Sequence, residues 1–228
     1  MFIRKVFSFL SNVITRLYKE VFIVCEEKNY KNFNDYNAYS YKERLNLNIN
    51  EKERIVEKAM HFIHNGGTYF FDVSTNVQLL AKRLNKKTTI FTHSLDNFNI
   101  LSEKQDVLVN LIDGEFNNKN RFFYREDYKK YFDGIQFDSA FLGAGAIKSD
   151  GIYYENEEDA FIKSEVAKIS KKVILLAEHQ KYQRTTQYKG LDLDQIKVII
   201  VDPISVSLFE DIIKSQNIEI NPNSLVIM

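Results

Sequence analysis

A chain of 228 residues with 31 Lys+Arg against 31 Asp+Glu has no formal net charge, and 44% hydrophobic with 27% charged residues excludes a disordered chain. The charge balance argues against a whole-protein nucleic-acid binder and leaves room only for a local basic patch. With 8 Gly, 2 Pro and the lone Cys25, collagen-like, Pro-rich, disulfide-stapled and multi-thiolate metal proteins are excluded, and a reducing, cytoplasmic setting is expected. Residues 1–25 are apolar and basic. Arg4 and Lys5 precede the run Val6 to Ile14, which faintly resembles a signal peptide. Ser8, Ser11 and Asn12 interrupt that run, and no small-x-small cleavage site follows it. No apolar stretch nears the roughly 20 residues that span a bilayer, so no membrane partner is expected. Residues 26–50, rich in Asn, Lys and Tyr, read as a linker.

A regular rhythm starts near residue 50. Ile55, Ala59, Phe62 and Ile63 share one helical face that ends at Gly66-Gly67. Strand 68–71, a helix through Val77 to Leu84, strand 88–92 and helix 95–102 follow. Strand 107–112 leads into an irregular Asn-rich stretch. Then come strand 137–142, helix 157–170, strands 173–177 and 198–201, helix 206–215 and a short strand 217–220. Strands alternating with helices predict an α/β fold, a mostly parallel sheet with helices on both faces. Continuous apolar strands such as Val-Ile-Leu-Leu and Val-Ile-Ile-Val fit a sheet covered on both sides. In such sheets ligands bind beyond the carboxyl ends of the strands.

At those ends stand the polar candidates. Asp72, Ser74, Thr75 and Asn76 run into a helix N-terminus, where hydroxyls and unpaired N–H groups suit a phosphate. Plain helix capping by Asp72 or Ser74 explains the same residues. His93 follows the second strand. Arg121 and Arg125 follow the third and could grip an anion bidentately. Gly143 and Gly145 follow the fourth, permitting either close approach of a ligand or a turn. Asp159 and Lys163, four apart on a helix, read either as site residues or as an exposed ion pair. Glu178, His179 and Lys181 end the fifth strand, either as acid–base machinery or as polar ligand contacts. His61 and His64 lack a third ligand nearby, so no metal site is expected. The Walker, dinucleotide-binding and nucleophile-elbow patterns are missing, and no cofactor is expected.

Taken in order, these segments resemble the effector-sensing domain of the DeoR/GlpR family of bacterial sugar-metabolism repressors, over about Tyr39 to Asp202. Tyr41-Lys42-Glu43-Arg44 and Glu51-Lys52-Glu53-Arg54-Ile55 resemble its linker and first sensor helix. GGTYFFDVSTN resembles Gly-Asp-Thr-Ile-Phe-Leu-Asp-Ser-Gly-Thr-Thr. FTHSL resembles Val-Thr-Asn-Ser-Leu, and FDSAFLGAGAI resembles Phe-Asp-x-Ala-Phe-Leu-Gly-Ala-x-Gly-Ile. EEDAFIKSEV and KKVILLAEHQKYQR resemble the helix and strand that follow. The resemblance implies a fold similar to the ribose-5-phosphate isomerase and CoA-transferase-like proteins, and a phosphorylated sugar as effector. It places Asp72, Ser74, Thr75 and Asn76 in the phosphate loop, Gly143 and Gly145 beside the sugar, and His93, Lys163, Glu178 and Lys181 among the effector contacts. The chain departs from the family at Ser74 (Gly), Asn76 (Thr), His93 (Asn), Gly145 (Asp in many sensors) and Glu178 (Asp). A Gly-to-Ser change at Ser74 would be costly if the loop required positive φ.

Ile3 to Leu10 resembles the family's DNA-recognition helix, with Val6 in place of Asp. Ile14 to Tyr18 resembles its wing, with Lys19 and Glu20 in place of glycines. The resemblance therefore implies three parts: residues 1–25 as the end of a winged helix-turn-helix, 26–50 as linker and 51–228 as the sensing domain. Arg4, Lys5 and Arg16 are the DNA-contact candidates. A recognition helix needs its partner helix to sit in the major groove, so DNA is expected as a partner only if the missing helices are supplied. A homo-oligomer, or a hetero-oligomer with an intact paralogue, is also expected. The leading functional reading is a DeoR-type regulator that is not an enzyme. The alternative is a sugar-phosphate isomerase-like enzyme using Glu178, His179 and Lys163.

Overall fold

The computed structural model describes residues 41–202, Gln183 excepted, and the strand at 225–227. Two helices come first, α1 (Tyr41–Asn46) and α2 (Ile49–Ala59). The alternating part follows: β1 (Thr68–Phe71), α3 (Thr75–Arg83), β2 (Thr88–Thr92), α4 (Leu95–Ser102) and β3 (Val107–Leu111). A hairpin of β4 (Glu115–Asn117) and β5 (Phe122–Tyr124) and the short α5 (Tyr128–Tyr131) lead to β6 (Ser139–Gly143). Next are β7 (Ala146–Lys148), β8 (Gly151–Tyr154), α6 (Glu157–Lys168), β9 (Val173–Ala177), β10 (Tyr188–Leu191), β11 (Val198–Val201) and β12 (Leu225–Ile227).

Seven strands form one parallel sheet in the order β12-β11-β9-β6-β1-β2-β3. Period-two alternation sorts their side chains between two cores. Tyr69, Phe71, Ile90, Phe141, Ile174, Leu176 and Ile200 meet Ile55, Val56 and Ala59 of α2 and Val77, Leu80 and Ala81 of α3. On the opposite face Phe132 packs edge-on against Phe70 and Phe137, which are themselves tilted against each other. There α5 and α6 pack together, and α6 reaches β6. Helices thus cover both faces, as the continuous apolar strands require.

The chain winds outward in both directions from the centre: β2 and β3 lie on one side of β1, and β6, β9 and β11 on the other. The strand order therefore reverses between β1 and β6, and a crevice opens beyond their carboxyl ends.

The predicted α/β elements from residue 50 to 201 are all present, with ends shifted by a few residues. Three features differ. Residues 41–46, read as linker, form α1, because Tyr41 is buried against Val73 and Phe122. The Asn-rich stretch folds as the β4–β5 hairpin. A second, antiparallel sheet, β10-β8-β7, stands beside the main one with α6 against it. The expected helix at 206–215, the strand at 217–220 and everything expected of residues 1–25 lie outside the described residues.

Candidate functional site

β1 delivers Asp72, fully buried, to the switch point. Its Oδ1 accepts the Ser74 N–H (2.8 Å) and its Oδ2 accepts the Gly143 N–H (2.7 Å). One carboxylate thus ties the end of β1 to the end of β6. Ser74 caps α3, its Oγ accepting the Val77 N–H at 3.3 Å. With φ −70° and ψ 153°, Ser74 is in ordinary extended backbone, so replacing the family's glycine costs no left-handed strain here. The constraint falls on Gly143 instead: a Cβ there would overlap the Ser74 Cβ and lie 2.6 Å from its Oγ. At Gly145 an added Cβ would come within 2.6 Å of the Tyr153 carbonyl oxygen. Beyond the cap, the Thr75 and Asn76 N–H groups belong to the first turn, which intrahelical bonds do not reach.

α6 brings up Lys163, also buried. Its Nζ donates to Asp159 Oδ2 (2.8 Å), lies 3.1 Å from Asp72 Oδ2, and sits 3.9 Å from the centroid of the Tyr154 ring. The Tyr154 hydroxyl donates to the Gly143 carbonyl at 3.1 Å. The Asp159–Lys163 pair is therefore not a solvated surface pair; it is the floor of the crevice. Burial pushes the Asp159 carboxyl up, but the Lys163 ammonium and the His93 hydrogen bond outweigh it and hold the group at about 2. Burial likewise pulls Lys163 down, and the two carboxylates overcome it and leave its pKa raised. His93 is fully buried, stacked on Phe70, with Nε2 3.1 Å from Asp159 Oδ1. It braces Asp159 from behind and does not line the crevice.

The opposite wall carries a second charged group. Glu178, at the end of β9, accepts from Asn76 Nδ2 at 3.0 Å and lies 3.7 Å from Lys52 Nζ. Lys52, on α2, also donates to the Arg44 and Leu47 carbonyls. The 3-10 turn His179–Tyr182 holds Lys181 at the same wall. Burial, with added repulsion from Arg184, Arg44 and Lys52, brings its ammonium down to about 7 against the pull of Glu178. His179 points elsewhere: its N–H donates to Asp202 Oδ2 at 2.6 Å and its Nδ1 lies 3.4 Å from that oxygen. Glu178, His179 and Lys181 are thus not one acid–base cluster.

Between these walls lies a crevice of about 620 Å³, its open mouth included. Ser74, Thr75, Asn76, Gly143, Gly145, Lys163, Glu178 and Lys181 line it. Asp72 lies just beneath, and His93 sits outside it. Arg4, Lys5 and Arg16 fall outside the described residues. Arg121 and Arg125 are engaged elsewhere, with Asp96 and with Asp113 and Asp127 respectively. The structure adds lining residues that the sequence did not single out: Tyr41 and Arg44 from α1, Asn120 after β4, Tyr154 to Asn156 before α6, and Arg184. Arg44 donates to Asn120 at 3.0 Å, Asn120 to Asn156 at 2.7 Å, and Arg184 to Glu155 at 3.0 Å. Only a polar run directly before a helix start, Glu155-Asn156, hinted at these positions in the sequence. Among the described residues no group of three or more His, Cys, Asp or Glu side chains is placed to hold a metal ion. Among those residues, too, no helix is long and apolar enough to cross a membrane.

Residues 47–203 match the family model described as the DeoR C terminal sensor domain. The chain is 31% identical over 182 residues to the HTH-type transcriptional repressor GlcR of Bacillus subtilis, covering 79% of this chain and 70% of that protein. It is 29% identical over 170 residues to the lactose phosphotransferase system repressor of Staphylococcus aureus, covering 73% and 68%. Among solved structures, ribose 5-phosphate isomerase A of Methanocaldococcus jannaschii aligns with TM-score 0.44 and 11% identity, covering 59% of this chain and 55% of that one.

Proposed function

This chain belongs to the DeoR family of transcriptional repressors and carries the family's sensor domain, and from that premise we propose that its crevice binds a phosphorylated sugar. The protein is a regulator rather than an enzyme. The observation that carries the proposal is the convergence, at one switch point, of an α3 N-terminus with the cations Arg44, Lys163, Lys181 and Arg184. A helix N-terminus presents N–H groups and a positive dipole end to an anion. In this reading Ser74, Thr75 and the Thr75 and Asn76 N–H groups hold the phosphate. Asn76, Glu178, Asp159 and Asn156 offer acceptors and donors to sugar hydroxyls. Asp72 and His93 serve by positioning, the first by joining two strand ends and the second by bracing Asp159.

Isomerase-like chemistry fits these groups poorly. Lys163 is held charged between two carboxylates and has no spare lone pair for proton abstraction. His179 is turned to Asp202, and Gly145 offers no acid. The same reading gives DNA as the second partner only where a full winged helix-turn-helix is supplied, with Arg4, Lys5 and Arg16 as contact candidates, while the sensor contributes the effector-dependent part. A ligand acts in such a regulator by differential affinity for two states.

Thermal unfolding of the full chain with a panel of pentose and hexose phosphates tests the reading. A ligand at about 100 times its Kd adds roughly 2.7 kcal/mol to the native state. For a domain this size that raises Tm by roughly 5–10 °C. One compound should produce such a shift, and Lys181→Ala should remove most of it. No shift across the panel, from a chain that unfolds cooperatively, would overturn the proposal.

A further inference from the structure

We propose that helix α1 is itself part of the effector site, so that a bound effector fastens the segment joining residues 1–40 to the sensor domain. The inference rests on the sugar-phosphate reading above and adds to it where that occupancy is felt. α1 (Tyr41–Asn46) precedes the stretch 47–203 that matches the sensor-domain family. Yet two of its side chains, Tyr41 and Arg44, line the crevice. Tyr41 is only 4% exposed, packed against Val73 and Phe122, and its buried hydroxyl has no hydrogen-bond partner. A buried hydroxyl left unpaired is costly unless something arrives to meet it. The Asn76 Oδ1, at the start of α3, is buried and unpartnered as well.

The connection to the α3 N-terminus is continuous. Asn76 donates to Glu178, Glu178 faces Lys52, and Lys52 donates to the carbonyls of Arg44 and Leu47 at the end of α1. Arg44 also holds Asn120, which holds Asn156 at the far rim. A ligand touching Asn76, Arg44 and Asn156 would close this ring of contacts. An arm that is a wall of the site gives the effector a differential contact with the position of that arm, which is what a population shift requires.

Hydrogen exchange on the full chain, with and without glucose 6-phosphate, fructose 1-phosphate, ribose 5-phosphate and inorganic phosphate in separate arms, tests this. The expected result is that at least one probe slows exchange both in 72–76 and in 41–48. Arg44→Gln should weaken that probe about tenfold or more, as loss of a charged hydrogen bond does, while protection of 72–76 persists at saturation. Tyr41→Phe, which keeps the packing, serves as a second variant and should also weaken the probe. Protection of 72–76 and 143–146 with unchanged exchange in 41–48, or wild-type affinity in both variants, would overturn the inference alone. Protection of neither region by any probe would overturn the sugar-phosphate reading, and this inference with it.

Discussion

The two walls of the crevice are built on opposite electrostatic plans. On the α6 side opposite charges interlock: Lys163 sits between Asp72 and Asp159, and His93 backs Asp159. On the β9 side burial lowers the Lys181 ammonium to about 7, with added repulsion from the nearby Arg184, Arg44 and Lys52 and against the pull of Glu178. The matched wall fixes geometry before any ligand arrives. The crowded wall holds a desolvated ammonium whose charged form an incoming anion would favour. Placement and recognition are thus assigned to different walls.

The largest expected effect breaks the matched wall. Lys163→Met would strand two buried carboxylates, at a cost of about 3–5 kcal/mol in urea unfolding. A loss under about 1 kcal/mol would show that the network is not the keystone of the switch point.

A smaller effect is expected where the backbones approach. Gly143→Ala should cost roughly 1–3 kcal/mol by overpacking. Ser74→Gly in the same chain should restore part of it, because the clash is with that side chain. A double mutant no better than Gly143→Ala would place the strain elsewhere.

The gentlest test titrates the crowded wall. The folded Lys181 pKa, about 7, lies below the ordinary lysine value of 10.5. Between those pH values the unfolded chain binds the extra proton, so Lys181 lets stability rise as pH increases through that window. Binding of a phosphate dianion has the opposite dependence. It favours the charged ammonium, so affinity should fall severalfold from pH 7 to pH 9 while the phosphate itself stays dianionic. Lys181→Met should flatten that fall; an unchanged slope in calorimetric titrations would remove Lys181 from the ligand's charge contacts.

Much of the parallel sheet was legible because buried strands are short apolar runs and their helices keep a 3.6-residue face. The loop 72–76 was legible because it sits at a strand end before a helix. The β7–β8–β10 sheet was not: its strands are three or four residues long and mix Tyr, Lys and Gly. α1 was missed because six residues carry too little periodicity, and its folding depends on Tyr41 meeting Val73 and Phe122, distant in sequence.

The sequence by itself determined the α/β class, the succession of the main-sheet strands β1, β2, β3, β6, β9 and β11 with the helices α2, α3, α4 and α6, and the family to which the chain belongs. These follow from local periodicity and contiguous motifs. Only the tertiary structure decided that Asp72 bonds across to Gly143, that His93 stands behind the site and His179 faces away, and that Tyr41 and Arg44 stand within it. Each of those outcomes depends on which strand ends lie side by side. Strand order in a parallel sheet is set by packing between segments tens of residues apart, which no local pattern records.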